Sequence, residues 1–416
     1  MTADWPSLGI AALATAGVIL RPFRIPEYAF ALAGAVLLVA FGLMPWPLAL
    51  AAVHKGTDVY LFLIGMMLLA GLATREGLFD YLAALAVQDA KGSARRLFAT
   101  VYGVGIVVTV FLSNDATAVV LTPAVYAAAK HARVNPLPYL FACAFIANAA
   151  SFVLPISNPA NLVIYGAAMP PLGQWLRHLL LPSVAAIAAT YLALRWALRR
   201  ALDAEQPGPA DLPHLSHSGR LVAGGIVLTA LVLMTASALG ADLGGPTLLS
   251  GCAVVLGVTL LTRASPVPLL RHVSWGVLPL VAGLFVLVGA VFRTGALGTM
   301  TAWLHISAQT APSQTAAIAG GAIAVVSNLM NNLPAGLIAA TAGQATQVPP
   351  QVTNALLIGV DLGPNLSVTG SLATILWLVA LRREGLHVSA GQFLRLGAIV
   401  MPPALLLALG ALLLQP

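Results

Sequence analysis

Long apolar stretches, bounded by glycine, proline or charged residues, alternate along this chain with short polar interruptions. In the first half they fall at about 7–20, 28–44, 59–74, 97–112, 116–129, 137–168 and 176–194. Most reach or approach the roughly 20 residues a helix needs to cross a bilayer, so the pattern predicts a polytopic all-α membrane protein. The arms 97–112 and 116–129 are each short for a crossing, and only Ser113-Asn114-Asp115 joins them. That leaves no room for a solvent loop and predicts a re-entrant helical hairpin. The stretch 137–168 holds Pro155 and Pro159 near its middle and predicts one discontinuous spanning helix.

The pattern recurs in the second half. Gly71, Arg75 and Gly77 form a GxxxRxG pattern that reappears 218 residues on as Gly289, Arg293 and Gly295. Ser113-Asn114 matches Ser327-Asn328 at an offset of 214, and Asn148 matches Asp361 at 213. At that last offset Asn158-Pro-Ala-Asn161 lies over Ser371-Leu-Ala-Thr374. Near-constant offsets in order predict a duplication: residues 1–198 as a first membrane repeat, 199–219 as a linker, and 220–416 as a second repeat. The second is expected to carry a hairpin at 316–342 and a broken helix at 352–381. Five crossings per repeat, an odd number, would set the two repeats in opposite orientations.

Composition sharpens the class. Of 416 residues 59% are hydrophobic and 8% charged, and Ile306 to Val360 contains no Asp, Glu, Lys, Arg or His. A soluble domain with a solvated surface does not have that composition. No basic residue precedes the apolar stretch after Asp4, so the first segment reads as a retained helix rather than a signal peptide. If the loops near 21–27, 75–96, 130–136, 195–220, 263–274 and 382–395 share one face, only Lys55, Arg177 and Arg293 of the 20 Lys and Arg lie on the other. That bias makes the first face cytoplasmic and both termini external. The net charge of +7 is then topological, and nucleic-acid binding is not invoked. Cys143 and Cys252 have no second cysteine nearby in sequence, so neither a disulfide framework nor a metal site is expected.

Ser, Asn and Asp are ordinary N-capping residues, and Pro is ordinary at the first helical position. Capping alone gives no reason for a helix to stop at mid-membrane, however, and irregular backbone there is tolerated where it is buried or lines a cavity. Paired helix N-termini present aimed N–H groups and partial positive charge to an anion or a hydroxyl-rich solute. The candidate substrate-binding residues are Ser113, Asn114, Ser157, Asn158, Asn161, Ser327, Asn328, Asn331, Gly370 and Ser371, with Asn148 and Thr374 nearby. Asp115 and Asp361 are the carboxylates expected at membrane depth. The cost of keeping a carboxylate ionised away from water suits them to carry a proton or cation. Arg75 and Arg293, at helix ends, read as snorkelling anchors. No GxxxxGK[ST] loop is present, so transport is expected to be driven by an ion gradient unless a separate ATPase subunit docks on the cytoplasmic face. No cofactor, metal or enzyme motif is expected.

At Asn114-Asp115 with Leu121-Thr122-Pro123, at Val326-Ser327-Asn328 with Asn331-Asn332-Leu-Pro334, and at Asp361-Leu-Gly363-Pro364 leading to Gly370-Ser371-Leu-Ala-Thr374, the chain resembles the arsenite efflux permeases of the ion transporter superfamily. The resemblance covers about residues 20 to 414. It implies a scaffold domain beside a transport domain built from the hairpins and broken helices, in the inner membrane. It also implies export of arsenite or antimonite, which are neutral trihydroxides, in exchange for protons. Those permeases often carry an acidic residue where Asn148 stands. Alternatives are a sodium-coupled dicarboxylate carrier, a sodium–proton antiporter, and a passive channel for neutral hydroxylated solutes.

Overall fold

The computed structural model describes residues 4–208 and 214–415, and every regular element among them is helical. Seven helices are long and apolar enough to cross a bilayer: Thr57–Arg75, Ala94–Leu112, Leu172–Ala197, His217–Ala238, Gly244–Thr262, Pro312–Met330 and Ala390–Leu413. Trp5–Leu20, Glu27–Ala40 and Leu137–Ala149 are shorter and equally apolar, and Val277–Arg293 bends by 83° into Gly298–Thr310. Caps fix several starts. Ser216 accepts from the Gly219 amide at 2.9 Å, and Ser389 and Gln392 form a reciprocal capping box.

The helices sort into two packing groups. Trp5–Leu20, Glu27–Ala40, Thr57–Arg75, His217–Ala238, Gly244–Thr262 and Val277–Arg293 pack chiefly on one another. Ala94–Leu112, Leu137–Ala149, Leu172–Ala197, Pro312–Met330, Pro350–Leu362 and Ala390–Leu413 make the second group. Small residues set the closest approaches in both. A Cβ at Gly251 would lie 2.8 Å from the Gly65 carbonyl oxygen, and one at Gly359 would lie 2.2 Å from that of Gly320. Any side chain there would force the helices apart, as at small-residue interfaces in membranes generally.

Both hairpin regions fold as paired helices. Their first arms, Ala94–Leu112 and Pro312–Met330, have 19 residues each, so they are longer than the apolar pattern suggests. The first begins before Arg95 and Arg96, and the second runs over Ser313, Gln314 and Thr315, because backbone hydrogen bonding extends a helix past the end of its apolar stripe. At 1.5 Å per residue each arm is about 28 Å long, so arm length does not mark the hairpins. The turns do. Between Leu112 and Asn114 the chain turns at Ser113, with φ 105° and ψ 160°, and between Met330 and Asn332 at Asn331, with φ 77° and ψ 153°. Side-chain-bearing residues rarely adopt such angles, at a cost on the order of 1–3 kcal/mol.

These matching turns lie 218 residues apart, as do Gly77 and Gly295, both at φ +75°. Ser113 therefore corresponds to Asn331 and Asn114 to Asn332. Ser327 and Asn328, which the sequence aligned with Ser113 and Asn114, sit a turn earlier, inside the first arm of the second hairpin. A two-residue likeness lost to the backbone geometry. The first hairpin's second arm also contains a π-helical turn, Thr117–Leu121, ahead of Pro123, with the Thr109 and Thr117 hydroxyls 2.8 Å apart. Such turns absorb a missing backbone donor and are frequent at functional sites.

The expected broken helices are present as Leu137–Ala149 with Pro159–Tyr165, and Pro350–Leu362 with Leu372–Arg383. The first ends as an α-helix at Tyr165, with Gly166–Ala168 forming a 3-10 turn. The breaks are held by side chains. The Asn161 amide donates to the carbonyls of Ser151, Leu154 and Pro155 at 2.9–3.2 Å, and Asn365 donates to that of Phe145 at 3.0 Å. The Trp377 indole donates to the Leu140 carbonyl at 3.0 Å and ties one broken helix to the other. In the expected linker a short helix, Arg199–Asp203, forms; residues 209–213 lie outside the described residues.

Candidate functional site

Four helices begin around one small cavity of about 10 Å³, enough for a single water-sized molecule. Asn114 and Asp115 come from the first hairpin tip, Asn332 and Leu333 from the second, Asn158 and Pro159 from one break, and Leu372 and Ala373 from the other. Leu63 and Val277, from the other packing group, close it. Thus both hairpins and both broken helices contribute, while among the described residues no Lys, Arg or His lines the cavity. Aimed N–H groups at four helix starts add partial positive charge to a wall that also carries the Asp115 carboxylate.

Several polar atoms here have no partner. The Oδ1 atoms of Asn114, Asn332, Asn148 and Asn161 and Oδ2 of Asp361 are buried without a hydrogen bond among the described residues. Buried acceptors left so are costly unless a ligand, ion or proton meets them. Asp361 is fully buried, and its Oδ1 accepts from Asn158 Nδ2 at 2.7 Å. Asn158 Oδ1 in turn caps its own helix by accepting from the Ala160 amide at 3.0 Å. Asp115 is half-buried on the cavity wall.

The sequence-selected residues divide in two. Asn114, Asp115 and Asn158 line the cavity, and Asp361 reaches it through Asn158. Others brace the scaffold around it. Ser157 Oγ accepts from the Leu154 amide and donates to the Val110 carbonyl, both at 3.1 Å. Ser327 donates back to the Ile323 carbonyl at 2.8 Å. Asn328 donates to the carbonyls of Ala324 and Gly363 and accepts from Ser367 at 2.7 Å. Asn331 caps the second tip, accepting from the Leu333 amide at 3.3 Å. Ser371 caps the last broken helix through the Thr374 amide at 3.0 Å, and the Gly370 carbonyl accepts from the Asn332 amide at 2.8 Å. Asn148 donates to Asn365 at 3.0 Å and to Thr374 at 3.4 Å. Asn332 and Asn365 went unselected; the 218-residue offset already visible at Gly77 and Gly295 points to Asn332.

A larger crevice, about 540 Å³, lies between the two packing groups and includes Val59, Leu162 and Leu337. These stand one helical turn from the cavity residues Leu63, Asn158 and Leu333, so the crevice adjoins the cavity on three elements. Lys55 and Arg293 lie on its wall. A much smaller space, about 10 Å³, includes Val18, Ile19 and Glu27 and shares Leu333 and Leu372 with the cavity.

The chain is 28% identical over 372 residues to the arsenical pump membrane protein of Yersinia enterocolitica, covering 85% of each, and 27% identical over 370 residues to that of Escherichia coli K12, again 85% of each. An uncharacterized transporter of Mycobacterium tuberculosis is 27% identical over 371 residues, 84% of each chain. Among solved structures, the YdaH transporter of Alcanivorax borkumensis, described as having an unusual topology, aligns with a TM-score of 0.58 at 15% identity over 88% of this chain and 86% of its own. At that identity the likeness carries the fold alone. The chain is a multi-pass membrane transporter and not an enzyme, as the sequence led one to expect. The model of the citrate transporter family matches residues 13–359, well over half of the chain, which therefore belongs to that family.

Proposed function

We propose that this transporter exports trivalent arsenite or antimonite, as neutral trihydroxides, in exchange for protons. The observation that carries the reading is the lining of the cavity: three amides, Asn114, Asn158 and Asn332, one carboxylate, and no cation. The unpartnered oxygens of Asn114 and Asn332 need donors, and a trihydroxide brings three O–H groups. Ionised carboxylate groups bring acceptors only. Asp361, with one oxygen on Asn158 and the other unpartnered, suits a group that takes and releases a proton as the cavity fills and empties. Asp115, on the wall itself, is the second proton carrier.

The two packing groups act as scaffold and transport domains, and the repeats run in opposite orientations. By the placement of basic residues, Lys55 and Arg293 lie on the external side with both termini, in the inner membrane. The large crevice then opens outward, and the structure corresponds to the state that releases solute. The possible ATPase subunit would dock on the cytoplasmic face.

A second reading, a sodium-coupled carrier of carboxylates, is favoured by the four converging helix N-termini and by the family's description as citrate transporters. Uptake of arsenite, antimonite, succinate and citrate into everted vesicles, with and without a proton gradient or sodium, separates the two. Arsenite accumulation driven by a proton gradient supports the first. Citrate or succinate movement that requires sodium, with no arsenite movement, overturns it. Arsenite equilibration without any gradient would indicate a passive channel.

A further inference from the structure

At the end of the span Leu172–Ala197, a recess of about 270 Å³ is lined by Arg95, Leu192, Arg195, Trp196, Arg199 and Leu202. Three guanidiniums meet there with one carboxylate. Asp203 takes Arg95 in a two-pronged pair, accepting from Nε at 2.6 Å and from Nη2 at 2.8 Å. That hydrogen bond holds the Asp203 carboxyl below its ordinary range, so the pair stays ionised at neutral pH. Arg195 and Arg199 form no ion pair within 4 Å among the described residues, although both lie near enough to Asp203 to help hold its carboxyl low. Arg195 donates to the Tyr191 hydroxyl at 3.3 Å, and Arg199 lies 4.7 Å over the Trp196 ring and donates to its carbonyl at 3.0 Å. The aromatic contacts hold both guanidiniums in place while leaving most of their N–H donors unused.

Below this charged rim the wall is apolar and exposed: Leu192 and Trp196, one turn apart, are 62% and 59% exposed. Only 39% of that helix's apolar window is buried within the protein. A soluble anion would gain nothing from Leu192 and Trp196. A molecule with a negative headgroup and an acyl chain meets both walls at once. A Trp at the end of a span, with Arg195 beside it in the last turn and Arg199 just beyond, forms the kind of basic pocket that anionic lipid headgroups occupy.

We propose that this recess binds an anionic phospholipid, with its phosphate on Arg195 and Arg199 and its acyl chain along Leu192 and Trp196. The bound lipid would clamp the base of the first hairpin, where Arg95 stands, to the end of Leu172–Ala197. The full-length protein is titrated in detergent with phosphatidylglycerol and with phosphatidylcholine, and bound lipid is counted by native mass spectrometry alongside thermal unfolding. Tight retention of phosphatidylglycerol over phosphatidylcholine is expected. It should weaken on the order of tenfold in R195Q/R199Q. It should survive in R195K/R199K, which keeps the charge, and in R382Q/R383Q, which removes two arginines elsewhere on the same basic rim. Undiminished retention in R195Q/R199Q overturns the proposal, as does an equal loss in R382Q/R383Q. Inorganic phosphate giving the same thermal stabilisation as phosphatidylglycerol also overturns it, in favour of a soluble anion. If R195Q/R199Q proves unstable, L192Q/W196Q serves in its place: it should lose lipid retention but not charge, and full retention there counts against the acyl-chain wall.

Discussion

Asn158 Nδ2 donates to Asp361 Oδ1 at 2.7 Å, linking residues 203 positions apart in the chain. The bond joins the N-cap of one broken helix to the last turn of the first segment of the other. It is buried, and it places the one fully buried carboxylate among the described residues a single side chain from the cavity. Asp361→Asn should abolish the response of arsenite efflux to a proton gradient while leaving exchange of solute for solute, measured in everted vesicles. Full gradient-driven efflux in this variant would remove Asp361 from the coupling. Asn158→Leu strands the carboxylate, and thermal unfolding should register a loss of about 1–3 kcal/mol.

Asn114→Ala and Asn332→Ala should each weaken arsenite transport with expression intact. Losing one hydrogen bond to a neutral solute costs about 0.5–1.5 kcal/mol, or up to about tenfold in apparent affinity. Asn328→Ala makes the contrast. Its amide and carbonyl are already committed to Ala324, Gly363 and Ser367, so the variant should lower the melting temperature more than it changes apparent affinity. The reverse pattern in transport kinetics would move the binding site to Asn328.

Asn161 serves the break rather than the cavity. Its amide reaches three carbonyls of the break, those of Ser151, Leu154 and Pro155, so Asn161→Ala should destabilise the fold by about 2–3 kcal/mol. Thermal unfolding in detergent checks this. Unchanged stability together with a large loss of substrate affinity would return Asn161 to the list of ligands.

The crevice makes a prediction about access. Cys143 is buried and Cys252 exposed, so Cys252→Ser supplies a quiet background. A cysteine introduced at Thr341, partly exposed on the crevice wall, should react with a membrane-impermeant thiol reagent added outside intact cells, and arsenite should alter the rate. Labelling only from the cytoplasmic side would reverse the proposed orientation.

Much of this was legible in the sequence because it is local. A run of apolar residues needs a bilayer or a core whatever surrounds it. A Ser-Asn-Asp or Asn-Pro interruption frees backbone groups wherever it falls. From those two facts came the membrane class, the paired hairpins, the breaks near Pro155 and Gly370, and Asn114, Asp115 and Asn158 as cavity residues. The tertiary structure decided which way each amide points. That depends on the positive φ at Ser113 and Asn331, which turns Asn332 and not Asn328 into the cavity. It also depends on helices brought together from opposite halves of the chain, which supply Asn365 to Asn148 and Asp361 to Asn158. Composition and spacing specify where a helix stops. The direction of a side chain at that stop is set by the backbone angles of the turn and by whichever distant carbonyl or carboxylate arrives within about 3 Å of it.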